Sequence, residues 1–179
     1  ELRKNYGSDF KHVVLAGVHT YHLLAFENKK LTKEGIFIEP AAPEMFSLNM
    51  VKGSRDALNG LNAVLLSEST AKAYFGSQDP INKIMRINNK LEVVVKGVYK
   101  DLPANSTFAN LSFMAPWHLY YTTEPWFKNM SDPWRPNSFS IYVQLNPNAD
   151  FKNVSFKIRD SKLKNINAHL AKMKPAVFL

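Results

Sequence analysis

Residues 62–108 read NAVLLSESTAKAYFGSQDPINKIMRINNKLEVVVKGVYKDLPANSTF, and the order of signals in this stretch decides the fold. Ala63 to Leu66 is an apolar run of strand length, Ser67 stands at the N-cap of a helix over 68–75, and Gly76 supplies its stop. Two short segments then flank Asn88-Asn89, and asparagine tolerates positive φ best after glycine, so the pattern predicts a hairpin closed by a tight turn. Alternation sets Ile84, Arg86, Leu91, Val93 and Val95 against Met85, Ile87, Glu92, Val94 and Lys96, which predicts a strand pair partly buried on both faces. Strand, helix, stop, hairpin and turn follow in order, and none of these residues is placed to make or break a covalent bond. Such a chain transmits, binds or supports.

Working outward, Leu2 to Phe10 reads as the end of a helix stopped by Gly7. Val13–Gly17, Tyr21–Phe26 and Leu31–Ile38 read as three strands in an antiparallel meander. Pro40 and Pro43 break the run, Glu44 to Leu48 fits one helical turn presenting Met45, Phe46 and Leu48, and Gly53 and Gly60 bracket a short segment. Downstream, prolines 116, 125, 133 and 136 interrupt Trp117, Tyr120, Tyr121, Trp126, Phe127 and Trp134, as in a long connection with a helical piece. Strand alternation returns over Ser138–Leu145. A final helix follows Asn146-Pro147-Asn148, with Phe151, Val154 and Ile158, then Ile166, Leu170 and Met173, at three- or four-residue spacing and a register break near Ser161–Lys164.

The 179 residues suffice for a buried core, and a hydrophobic fraction of 45% with 12 Phe, 7 Tyr and 3 Trp places the chain among folded modules. No segment approaches the roughly 20 consecutive apolar residues that cross a bilayer. Zero cysteine excludes disulfides and cysteine-built zinc sites. The formal charge of +8 is concentrated late: Lys152, Lys157, Arg159, Lys162, Lys164, Lys172 and Lys174 stand against Asp160 alone between 152 and 174. A basic helix face attracts phosphate, an anionic membrane or an acidic protein alike. No helix-turn-helix, zinc finger, Arg-rich arm or nucleic-acid-stacking motif accompanies it, which argues against nucleic acid.

Other chemistry fails on its own terms. His12, His19, His22, His118 and His169 include one close pair, but three-residue spacing in a strand turns His19 and His22 to opposite faces, and the reading is of ordinary surface or turn histidines. Ser67 beside Glu68 lacks a GxSxG context, and helix capping already accounts for the serine. Asp101 in DLPANS (101–106) reads as a strand-end turn rather than half of an acid/base pair. Gly76 and Gly97 make no phosphate cradle, and no GxxxxGK[ST] occurs, so no cofactor is expected and nucleotide is excluded. The aromatic segment is the remaining rival: Trp and Tyr faces stack on sugars or anchor interfaces, or they close one lobe over another.

Taken together, EMFSL (44–48), VKG (51–53), Ala57-Leu58, LSESTAKAYFG (66–76), DPINK (79–83) and VKGVYKDLP (95–103) with Asn105-Ser106 resemble the extracytoplasmic core domain of MacB-like ABC transporter permeases, in the Bacteroidetes-type branch of the FtsX-like permease group. The resemblance covers most of residues 36–145. Asn82 stands where the family commonly has glycine, and asparagine is the residue best able to replace it in a left-handed turn.

The resemblance implies an α/β (α+β), two-lobed periplasmic core: a discontinuous porter-like lobe, 1–58 with 119–179, and a small inserted α/β lobe, 59–118. It implies a noncatalytic domain on the periplasmic side of the inner membrane, a soluble portion of a permease with one transmembrane helix before it and three after. The implied partners are those helices, a cytoplasmic ATPase domain or subunit that carries the ATP, a second permease copy and a periplasmic adaptor. Ser67, Gly76, Pro80, Asn82, Gly97, Asp101 and Pro103 are expected to hold the inserted lobe. Trp117, Tyr120, Tyr121, Trp126 and Trp134 are expected to form a lobe junction or contact surface. The alternative is a secreted module that binds glycans or peptides through residues 117–134.

Overall fold

A computed structural model describes residues 1–130, 132, 138–166 and 172. In chain order the elements are α1 (Leu2–Tyr6), a 3-10 turn (Gly7–Asp9), β1 (Phe10–Gly17), β2 (Thr20–Phe26), β3 (Lys29–Ile38), α2 (Ala42–Met45) and β4 (Met50–Gly53). After a second 3-10 turn (Arg55–Asn59) come β5 (Ala63–Ser67), α3 (Glu68–Phe75), β6 (Ile84–Ile87), β7 (Leu91–Tyr99), β8 (Phe113–Pro116), α4 (Trp117–Thr123) and α5 (Pro125–Lys128). Then follow β9 (Phe139–Leu145), α6 (Phe151–Ile158) and a 3-10 turn (Leu163–Asn165).

Six strands close on themselves in the order β2-β6-β7-β5-β8-β3, with β3 returning to β2, while β1 with β9 extends from β3 and β4 hangs on β7. Closure removes free edges from the barrel and leaves them only on the appended strands. The β3–β8 and β5–β7 pairs are parallel and the rest antiparallel. The architecture is a mixed α/β fold, a closed barrel with extra strands and helices. Strands on both sides of residue 58 share that barrel: β2 and β3 precede it, and β5 to β8 follow it.

One face of the barrel strands packs Leu24, Phe37, Val64, Leu66, Met85, Ile87, Val93, Val95, Phe113 and Ala115 together, against Ala71, Tyr74 and Phe75 of α3. The opposite face gives Ile36, Ile38, Leu65, Tyr99 and Met114 to a second cluster, covered by Val14, Ala16, Ala42, Leu48 and Leu58. Burial on both faces explains why the strand sequences AVLL, FMA and IFI are continuously apolar. A third cluster joins the two ends of the described chain: Leu2, Tyr6 and Phe10 pack on Val143, Val154 and Ile158.

Several expectations are revised. The first three strands are not a meander, because β1 lies beside β3 and β9 rather than β2. Gly7 sits at φ −58°, so the right-handed chain passes straight into a 3-10 turn instead of stopping there. The turn expected at Glu44–Leu48 forms two residues earlier, at Ala42–Met45, because proline favours the first helical positions. In the hairpin, Met85 faces Val93 and Ile87 faces Leu91, so residues assigned to opposite faces share one. Val93, Val95, Met85 and Ile87 are buried together while Arg86, Glu92 and Lys96 are exposed. Asn88 and Asn89, at φ 54° and 56°, turn the chain, and Lys90 is a third loop residue that shifts the register by one from that of a two-residue turn. The connection after Pro116 is two short helices, α4 and α5. Phe151 points outward, and Leu170 and Met173 lie outside the described residues.

His22 is a further correction, since it is buried rather than on the surface. Its imidazole meets Phe37 and Phe113 edge-on at 5.5 and 5.7 Å and shares a 3.0 Å hydrogen bond with the Asn88 amide. Burial lowers its pKa, against the opposing pull of the Asn88 hydrogen bond and of Glu124. The unfolded chain therefore binds the proton more readily, so this site's contribution is intact above about pH 6.5 and is lost as pH falls below it. Thermal unfolding between pH 7.5 and 5.5 is expected to show a drop in Tm that His22→Gln reduces.

Candidate functional site

The residues expected to hold the inserted block surround α3 and the hairpin. At the start of α3, Ser67 Oγ accepts from the Thr70 N–H at 3.3 Å. A second oxygen arrives from the far end of β7, where Asp101 accepts from the Ser69 N–H at 3.2 Å and its hydroxyl at 2.8 Å. Two otherwise unpaired helix donors are thus satisfied, one locally and one across 32 residues of chain. Pro103 continues the turn by accepting from the Ser106 N–H at 2.9 Å.

At the other end of α3, Gly76 has φ 61° and ψ −117°, beyond the left-handed helical region and open essentially to glycine alone. A Cβ there would meet nothing within 4 Å, so any cost of substitution is backbone cost. Gly76→Val is expected to lose about 2–3 kcal/mol, with Gly76→Asn little better than Gly76→Ala, read as lower denaturation midpoints at unchanged slope. Asn82 differs: at φ 63° it is a left-handed turn residue, its N–H donates to Val95 O at 2.8 Å, and its side-chain oxygen accepts from Lys96 Nζ at 2.8 Å. Pro80 is buried and accepts from the Lys83 N–H at 3.1 Å. Gly97 lies where β4 and β5 flank β7; a Cβ would come within 2.8 Å of Leu65 and 2.9 Å of Met50. Lys52 Nζ bonds Asp79 at 2.9 Å, tying β4 to the loop after α3, and with the Ile81 N–H holds that carboxyl below its ordinary pKa.

The aromatic segment is mostly packed. Trp117 meets Tyr120, Phe127 and Phe139 at 5.4–5.5 Å, and Tyr120 lies 5.4 Å from Phe37 of the barrel. Burial, reinforced by Glu124 and opposed by a hydrogen bond from Trp126, raises the Tyr120 pKa. Trp126 stacks 4.3 Å from Phe127 and lies nearly parallel to Phe139, leaving it 37% exposed; Tyr121 is half exposed. The cluster joins α4 and α5 to β9, and Trp134 lies outside the described residues.

Of the late cations, Lys157 pairs with Asp9 at 3.0 Å and Arg159 with Asp160 at 3.3 Å. Lys152, Lys162, Lys164 and Lys172 lie among the described residues and Lys174 outside them. His19 bonds Glu34 at 2.6 Å. No group of three His, Cys, Asp or Glu suited to a metal occurs among the described residues.

Residues 6–161 match the MacB-like periplasmic core domain. The chain belongs to this family. Similar solved structures agree in fold. A permease domain from Porphyromonas gingivalis superposes with TM-score 0.72 at 21% identity, covering 92% of this chain and 75% of that one. The periplasmic region of MacB from Actinobacillus actinomycetemcomitans gives 0.67 at 19%, covering 97% and 78%. The extracellular domain of the noncanonic ABC-type transporter YknZ from Gram-positive bacteria gives 0.62 at 21%, covering 86% and 74%. No curated protein matches.

This MacB-like domain is therefore a noncatalytic extracytoplasmic domain of an ABC transporter permease, on the periplasmic side of the inner membrane and associated with transmembrane and ATPase components. No helix among its described residues is long and apolar enough to cross a membrane. Sequence reading missed His22 inside the barrel and the close approaches at Gly35 and Gly53. A glycine within an apolar strand, as in GIFI (35–38), is the signal that marks such an approach.

Proposed function

We propose that this domain couples movement of the permease's transmembrane helices to the handling of an envelope substrate or partner, in export or extraction, while ATP is hydrolysed on a separate cytoplasmic domain or subunit. The observation that carries this reading is the third cluster. Helices α1 and α6 pack on one patch, tied by Lys157 to Asp9 and by Ser161 to the Tyr6 hydroxyl at 3.5 Å. A displacement delivered there passes through β1 and β3 into a closed barrel without free edges, which moves as a unit.

In this reading 1–58 with 119–179 receives the motion and 59–118 is the inserted part. The two meet at the β2–β6, β3–β8 and β4–β7 seams, and the first of these has only two paired positions, Leu24 with Ile87 and Ala25 with Arg86. A second permease copy and a periplasmic adaptor are the expected neighbours, with the exposed Trp126 and Tyr121 as contact residues. The capped α3 and the Asn82 turn hold the inserted part. The test is the full permease with its ATPase, reconstituted and spin-labelled at exposed position 77 in each of two copies. Coupling requires the inter-copy distance to differ between nucleotide-free and ATP-bound states; an unchanged distance rejects it.

A further inference from the structure

Helix α6 is capped by Asp150, which accepts from the Asn153 N–H at 2.8 Å, and its inner stripe is Val154 and Ile158, both buried. At about 100° per residue, Phe156 lies diametrically opposite the midpoint of that stripe, with Lys152 and Arg159 roughly 40° and 60° to one side and Asp160 roughly 40° to the other. Phe156 is 70% exposed. The Arg159 guanidinium stands 5.0 Å over the Phe156 ring. Phe156 contributes nothing to the core, and with Lys152 and Arg159 beside it makes a small patch that is both apolar and basic.

Charge selects the partner. Residues 151–166 carry Lys152, Lys157, Arg159, Lys162 and Lys164 against Asp160, with Lys157 paired to Asp9 and Arg159 to Asp160. An aromatic ring with cations along one side suits the boundary between acyl chains and phosphate headgroups, where the ring enters the apolar edge and the long basic side chains extend to phosphates. The domain's place beside the inner membrane supplies that surface. Protein interfaces, by contrast, are depleted of lysine at their centres.

We propose that the outer face of α6, centred on Phe156 with Lys152 and Arg159, seats on an anionic lipid surface. This rests on the domain's envelope location and not on coupling, so failure of the spin-label experiment leaves it standing. The test is co-sedimentation of the 179-residue chain with vesicles of phosphatidylcholine alone or mixed with phosphatidylglycerol, at low and high salt. Binding is expected only with the anionic mixture and should weaken with salt. The K152E/R159E pair is expected to reduce partitioning on the order of tenfold or more, and Phe156→Ala several-fold, with Tm unchanged because none of the three positions is buried. Equal binding to neutral vesicles, no binding, or partitioning indifferent to these substitutions overturns the proposal. So does self-association lost in Phe156→Ala without a change in vesicle binding, which makes the face a contact between copies.

Discussion

Gly35→Ala is expected to destabilise this domain more than any other single methyl addition. Gly35 pairs with Phe113 across the parallel β3–β8 ladder, and a Cβ at Gly35 would lie 2.1 Å from two carbons of the Phe113 ring. That ring is fully buried, with the His22 imidazole 5.7 Å away, and a closed barrel cannot open to release it. Ordinary overpacking costs about 1–3 kcal/mol, and an overlap this deep in a confined interior should exceed it, reaching about 4 kcal/mol or more. Against a typical total of about 5–15 kcal/mol, that leaves a marginal fold. The clash names its own remedy, since Phe113→Leu removes the carbons concerned. In a urea-denaturation cycle, Gly35→Ala with Phe113→Leu should be less destabilised than the sum of the singles by more than about 1 kcal/mol. Additive energies would show that the ring is not what the glycine accommodates.

Gly53→Ala comes second, for a different reason. Gly53 ends β4 at φ 71°, opposite Gly97 on β7, and a Cβ would stand 2.3 Å from the Lys96 carbonyl oxygen and 2.9 Å from the Gly97 Cα. The obstacle is backbone, which has no rotamer to change, and the left-handed conformation adds about 1–2 kcal/mol of its own. Because β4 is attached to the barrel by β7 alone, the structure has an escape that Gly35 lacks: the strand can peel away. The expected outcome is a loss of about 3 kcal/mol, with amide exchange accelerated at 50–53 and 97–99 while the barrel interior at 64–66 and 93–95 stays protected. Uniform acceleration across the chain would mean that β4 is integral to the barrel.

Much of the stretch from 62 to 106 was legible because its signals are local. Ser67 caps α3, Gly76 has a backbone conformation other residues avoid, and Asn88-Asn89 supply two successive positive φ values; each depends on a few neighbouring residues. The hairpin's facial assignment failed because the loop holds three residues, Asn88, Asn89 and Lys90, rather than two, and a one-residue shift in register turns every side chain of one strand to the other face. His22 was misplaced because a histidine in an alternating strand looks the same whether its face meets water or a barrel interior. Phe156 was not singled out among the late aromatics, since its meaning depends on which stripe of α6 packs inward.

The sequence by itself determined the caps of α3, the Asn88-Asn89 turn, most of the strands though not β4 or β8, and the family, because these rest on short-range backbone preferences and ordered motifs. The tertiary structure alone decided that β3 returns to β2 and closes a barrel, that Asp101 reaches the start of α3, and that glycines 35, 53 and 97 make room for neighbours distant in the chain. The physical reason is that closure, close approach and the packing of α1 against α6 are properties of pairs of segments, and no single segment encodes which partner it will meet.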